Sequence, residues 1–360
     1  MSISRRQLLA ASPLLLLAPR LLRAQDSADA TPASGGDDDM FFQEITDASE
    51  RATRRGVEFL LKTMHRDGGC GVDIGQAPDI GCTATVGLSF LAQGNTPVEG
   101  TRSRQVRQIV SYLLRCVENM PSDDITSATQ TQLQNKIGRH AHSFFAALFL
   151  SQVLGEGEDP ELVRPSLKKL VETIVRMQSA EGDWGQTSWA PVLGTVMGWL
   201  SLRAADFAGI KVGNSPERTA DHLIKDMQQQ LANRGGSWMH TLYKNATGIR
   251  VLFEMGLEHE AISEQAFKDV LQLVSTDNTA FSQAGGEEYL AFHLITETML
   301  QKGGQDWKTW YPVVRDKIVG VQNSDGSWTG HHCITSRTFC TACATLVLTA
   351  PYRYLPISQP

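Results

Sequence analysis

Gln322-Asn323-Ser324-Asp325-Gly326-Ser327-Trp328 closes one helical pattern in this chain, and Gln178-Ser179-Ala180-Glu181-Gly182-Asp183-Trp184 closes another. Arg234-Gly235-Gly236-Ser237-Trp238, with Gln230 upstream, repeats the pattern, and Asp67-Gly68-Gly69-Cys70 is a shorter copy without the tryptophan. One local structure is being rebuilt several times, at about 40 to 55 residues per unit, which is the mark of stacked supersecondary units that cannot bury their apolar faces alone.

Working outward from these turns, apolar residues keep a helical period on both sides of each. Ile45, Ala48, Ala52, Val57, Leu60 and Leu61 define a first helix between Phe42 and Met64, and Cys82 to Ala92 a second, so one unit is a helical hairpin. Further hairpins pair Val106–Cys116 with His142–Leu154, Ser166–Met177 with Val192–Phe207, and Thr219–Leu231 with Ala246–Met255. Ile262–Val274 with Glu287–Leu300 and Trp310–Val321 with Thr338–Leu348 complete six. The second helices are poor in charge, as in Thr195-Val196-Met197-Gly198-Trp199-Leu200, and belong inside. Six hairpins with polar outer and apolar inner helices close into an all-α double ring, an (α/α)6 toroid with a central apolar cavity; an open solenoid is the competing geometry.

The chain has 360 residues, 41% hydrophobic and 20% charged, the composition of a globular protein. A formal charge of -6, with no Lys/Arg cluster after residue 25, excludes a nucleic-acid footprint. Ser4-Arg5-Arg6-Gln7-Leu8-Leu9 and the apolar run to Leu17 read as an export signal over 1–24, cleaved after Ala24. Its paired arginines indicate the twin-arginine route and a periplasmic, soluble product. Pro13, Pro19 and Arg20 interrupt a segment already short for a membrane anchor. Residues 25–40, with the run Asp37 to Asp39, hold little to bury and read as a disordered acidic linker, leaving 41–360 as the repeat domain.

The glutamine-tryptophan segments ending at Trp184 and Trp328 resemble the repeats of the squalene and terpene cyclases and of the protein prenyltransferase β subunits, whose α/α toroid the six-hairpin plan also resembles. The resemblance implies an isoprenoid or other elongated apolar substrate in the cavity. Class II terpene cyclases start a carbocation cascade with an aspartate of an Asp-x-Asp-Asp motif. This chain has no such motif; Ser122-Asp123-Asp124, in a polar turn after Met120-Pro121, is the nearest approach. The prenyltransferase resemblance implies zinc, held in that family by an aspartate and a cysteine opening one inner helix and a histidine opening the next. The matching residues here are Asp79 and Cys82, three apart rather than two, and His140. Such a set leaves a fourth position for water or a thiol substrate. In the bland alternative Asp79 caps a helix, Cys82 packs and His140 lies at the surface.

Other candidates sit nearby in sequence. His331, His332, Cys333, Arg337, Cys340 and Cys343 form the densest run of unusual residues, open to a metal site or, in an oxidising compartment, to disulfides among the six cysteines. In a closed ring Cys82 would approach Cys343. Glu287, Glu288 and His293 begin the fifth inner helix, turned to the cavity or simply answering the helix dipole. Trp189, Trp199, Glu288, His293 and Arg337 are the expected substrate-binding set, and Trp184, Trp238 and Trp328 either line the chamber or lock hairpins together. Three functions follow: an enzyme acting on an isoprenoid with zinc on Asp79, Cys82 and His140; a non-catalytic module binding a lipid or protein; and a carbohydrate-active toroid using a carboxylate pair.

Overall fold

The structure, a computed structural model, describes residues 43–358 except 122–124, 126–129, 158–159, 186–187, 233–241, 244–246, 259–260 and 277–278. The signal, the linker, Ser122-Asp123-Asp124 and the turn at Trp238 lie outside the described residues.

Outer helices α1 (Asp47–Thr63), α3 (Ser103–Glu118), α6 (Pro160–Met177), α8 (Ser215–Ala232), α10 (Ala261–Thr276) and α13 (Gly304–Gly320) alternate with inner ones. The inner set is α2 (Ile80–Leu91), α5 (Ala141–Val153), α7 (Pro191–Phe207), α9 (Gly248–Glu254), α12 (Gly286–Lys302) and α14 (Arg337–Thr349). Each inner helix packs on the next, and α14 packs back on α2, so the ring closes. Each outer helix lies on the inner helix before it, and α1 obeys the same rule by lying on α14. Every residue of α5 is buried, in keeping with its apolar sequence. The all-α toroid expected from the repeats is the fold observed. Short additions interrupt it: α4 (Gln132–Ile137), α11 (Thr279–Ser282) and a two-stranded ribbon pairing Cys70–Gly71 with Pro78–Asp79.

The repeated segment has one physical job. Gln322 Nε2 donates to Gly326 O (2.9 Å) and to Ala52 O (2.8 Å) of α1, and Gln178 Nε2 donates to Gly182 O (2.9 Å) and to Ser215 O (3.0 Å) of α8. Trp328 Nε1 donates to Ile318 O (2.8 Å) and Trp184 Nε1 to Ile174 O (2.7 Å), pinning each indole to its own outer helix. Gly326 (φ 91°), Gly182 (φ 100°) and Gly68 (φ 95°) take the left-handed turn. A Cβ on them would fall 2.5 Å from Arg55 O, 2.2 Å from Arg218 O and 2.1 Å from Gln108 O, so each turn lies directly against the following outer helix. In the first copy Met64 and Cys70 stand in place of glutamine and tryptophan, yet the turn bond His65 N to Gly69 O (2.8 Å) matches Asn323 N to Ser327 O (2.9 Å).

The inner helices all run the same way, so the ring has an N-terminal and a C-terminal mouth. The C-terminal mouth is filled by the chain's own tail. Leu355 and Ile357 are buried there, with Ile357 N donating to Gln152 Oε1 (3.0 Å) and Ile357 O accepting from Arg250 Nη2 (3.0 Å). Near the other mouth Phe145 of α5 meets Phe339 of α14 edge-on, ring centroids 5.6 Å apart, so the axis is narrowed by aromatic packing. None of the six cysteines is joined in a disulfide, so the bridged arrangement, one of the two left open by the sequence, is not the one seen. Closure does bring α14 beside α2, but Cys82 Sγ faces Ser336 Oγ at 3.4 Å.

Replacing Gly326 by Ala is expected to destabilise the ring more than replacing Gly256, whose φ is also positive (72°) but which has nothing within 4 Å. Both lose about 1–2 kcal/mol to the left-handed backbone. Gly326→Ala adds a collision costing a further ~1–3 kcal/mol. Urea denaturation midpoints of the two variants measure the difference.

Candidate functional site

Six parallel inner helices present their N-termini to one mouth, where unpaired N–H groups and the helix dipoles favour carboxylates. Two acidic centres form there. At the first, Asp79 caps α2 by accepting from Cys82 N (2.8 Å), and its other oxygen lies 3.3 Å from His142 Nε2. His142 also meets Thr131 Oγ1 (3.2 Å). Burial works against the Asp79 carboxylate, but the His142 imidazole beside it and the Cys82 amide hold its pKa below the usual value. Burial pushes the Cys82 thiol well up, with Asp79 adding to it.

The partner of Asp79 is therefore His142, and among the described residues Asp79, Cys82 and His140 do not form a group whose ligand atoms all lie within 4.8 Å of one another. His140 is half-buried at the start of α5 and leans on Phe144, centroids 6.4 Å apart. The extra residue between Asp79 and Cys82 is what lets the carboxylate turn back to cap the Cys82 amide.

The second centre is built by α12 and the loop before α14. Gly286 N donates to Ile334 O (2.8 Å) and His331 N to Ala284 O (2.9 Å), laying residues 331–334 over the start of α12. The approach needs the glycines: a Cβ on Gly285 would sit 2.7 Å from His332 O, and one on Gly286 2.5 Å from Ile334 Cγ2. Glu288 reaches back to the Gly285 amide (2.7 Å), and Glu287 accepts from Ile334 N (3.2 Å). Both glutamates are fully buried. The His332 ring is held between them, Nδ1 3.2 Å from Glu287 Oε1 and Nε2 3.4 Å from Glu288 Oε2. Cys333 is forced left-handed (φ 46°), a strained backbone for a residue with a Cβ. From the second repeat, Lys136 of α4 reaches Glu287 Oε1 (3.1 Å), Cys333 Sγ (3.5 Å) and Tyr243 OH (3.3 Å).

Burial pushes the Glu288 carboxyl up to about 8, with the Glu287 charge adding to it. Burial opposes the Lys136 ammonium, but Glu287 and Tyr243 hold its pKa above the ordinary lysine value. Burial and Glu287 raise the Cys333 thiol. Glu287, His332 and Cys333 each bring one ligand atom within 4.8 Å of the others, a group that could hold a metal ion. The donor set fits zinc in chemical type, and Glu288 Oε1 is a buried oxygen left without a hydrogen-bond partner beside it. A cleft of about 170 Å³ opens next to this group, lined by Gln132, Asn135, Lys136, Trp189 and Cys333.

The expected substrate-binding residues are scattered. Trp189 is 74% exposed at the cleft, whereas Trp199 is fully buried in α7. Arg337 binds Asp73, Asp325 and Ser327 and covers the Phe59 ring at 4.7 Å, clamping repeat six to repeat one. His293 lies deeper, its pKa pushed down to about 3 by burial and by Arg250. Lys136 and Tyr243 escaped sequence reading because neither belongs to a repeat motif and both meet Glu287 only after the ring closes.

No protein-family model and no curated protein matches this sequence. Among solved structures the chain is similar to the type II terpene cyclase MstE from Scytonema in its apo form, with a TM-score of 0.50 and 14% identity, covering 86% of this chain and 100% of that one. At that identity the likeness is one of fold, and this chain has a terpene cyclase-like all-helical fold.

The depressed Asp79 pKa sets the sign of a pH effect. A carboxyl whose folded pKa lies below its ordinary 3.8 contributes stability above that value and loses it as pH falls through the folded pKa. Asp79→Asn is thus expected to be less stable than the parent at pH 7, with the gap closing below pH 3.8. Denaturant midpoints against pH measure it.

Proposed function

We propose that this chain is an exported zinc-dependent enzyme of terpene cyclase-like fold, acting on an isoprenoid or other elongated apolar substrate at the N-terminal mouth of the ring. The observation that carries the reading is the convergence of a carboxylate, an imidazole and a thiol, from Glu287, His332 and Cys333, beside an open cleft. The donor types are those the prenyltransferase resemblance implies, at a different address in the ring. Three protein ligands leave a fourth position, as catalytic zinc sites do. When bound there, zinc would supply Lewis-acid chemistry, lowering the pKa of a water or substrate thiol.

The chain's own residues supply the rest. Glu288 Oε2 stands 3.4 Å from the second nitrogen of His332, in position to steady the ring. The inner wall excludes water, and the exposed Trp189 gives an apolar chain a surface to lie on. Glu287 and Glu288 are neighbours on one helix under a single histidine, so they do not face each other across a groove as a glycosidase pair does.

Elemental analysis of protein purified without chelator is expected to find about one zinc per chain. His332→Ala and Cys333→Ala lose it, and Cys82→Ala and His140→Ala keep it. Glu288→Gln is expected to weaken zinc binding by ~10–100-fold, the usual effect of removing a ligand's supporting partner. A parent protein with no metal sinks this reading. A tightly retained apolar molecule in that case would make the chain a binding module instead.

A further inference from the structure

Lys136 occupies the position from which a cation would bridge Glu287 and Cys333. Its ammonium is 3.1 Å from Glu287 Oε1 and 3.5 Å from Cys333 Sγ. It sits 4.5 Å from the centroid of the Tyr243 ring, and its side chain is 7% exposed. A buried glutamate needs a counter-charge, and Lys136 supplies one from a different repeat on a long flexible stem. A metal ion on Glu287 Oε1 would stand against the Lys136 ammonium on the same oxygen, and like charges that close repel strongly where water is scarce. Lys136 also lines the cleft, so a rotation of its long stem would carry the ammonium toward it. The cleft's lining holds the amides of Gln132 and Asn135 and the Trp189 indole and, among the described residues, no acidic side chain.

We propose that Lys136 is a placeholder cation: it neutralises Glu287 while the Glu287/His332/Cys333 site is empty of metal, leaves when that site fills, and then binds the anionic head group of an amphiphilic substrate whose apolar body lies on Trp189. The inference rests on the zinc reading of the same centre. It makes metal loading and anion binding cooperative, because the charge released by one is the receptor for the other.

The test is amine acylation of the whole wild-type domain, read at Lys136 by mass spectrometry. Lys136 is expected to be protected after chelation, to react at least tenfold faster with zinc bound, and to be protected again by added sulfate as the anion probe. Lys136→Met is expected to bind zinc at least tenfold more tightly than the parent, since its competitor is gone. If that variant fails to fold, the wild-type labelling decides by itself. Zinc that binds through Cys333 while Lys136 labelling stays unchanged overturns the placeholder and leaves the metal site standing. Labelling that rises with zinc but ignores sulfate overturns the anion role. A wild type that binds no zinc overturns both readings together.

Discussion

The amide of Gln322 donating to the carbonyl of Ala52, 270 residues earlier, is the contact on which the rest of the structure depends. A helical hairpin with one apolar helix is unstable alone, and a chain of them is stable only if each end finds cover. Here the sixth unit covers the first, and the same glutamine, glycine and tryptophan that join neighbouring units also join the ends. Ser89 bonded to Thr345 (2.8 Å) and Arg55 bonded to Ser324 O (2.7 Å) tighten the seam. Without closure, α2 and α14 would expose their buried faces to water.

Closure also completes the site. It brings α12 and the loop before α14 opposite α4, so acids placed at helix N-termini for local reasons find a histidine from the neighbouring repeat and a lysine from across the ring. The resulting cluster is costly: two buried carboxyls side by side, an ammonium taken out of water, and a cysteine held left-handed. Apolar residues of similar volume would serve stability better. Proteins keep such arrangements where the chemistry needs them, and the cleft beside Cys333 gives this one access to solvent.

The opposite mouth shows polar residues doing a different job. Gln152, Arg250 and Gln301 are bonded to the backbone of the tail at Ile357, and Arg250 is further paired with Glu254 at 2.5 Å. His293 is kept neutral near Arg250 by burial. Polarity inside a ring is therefore no sufficient sign of a substrate site. What separates the two mouths is that one set of side chains is met by the chain's own backbone, whereas the other faces a cleft.

The amino-acid sequence by itself determined the hairpins, their number and the division into polar and apolar helices, because helical period and turn glycines act over a few residues. It also singled out His332 and Cys333 in the densest run of unusual residues, and Glu287 and Glu288 at the start of an inner helix, where the dipole alone could account for them. It could not say that Asp79 would meet His142 and leave His140 outside, since a shift of two residues at a helix start turns a side chain away, and that depends on how the loop is packed. It could not place Lys136 on Glu287, or set Arg337 in the seam and Trp199 in the core. These placements join residues far apart in the chain, some across neighbouring repeats and some across the closed ring, and such contacts leave no local pattern to read.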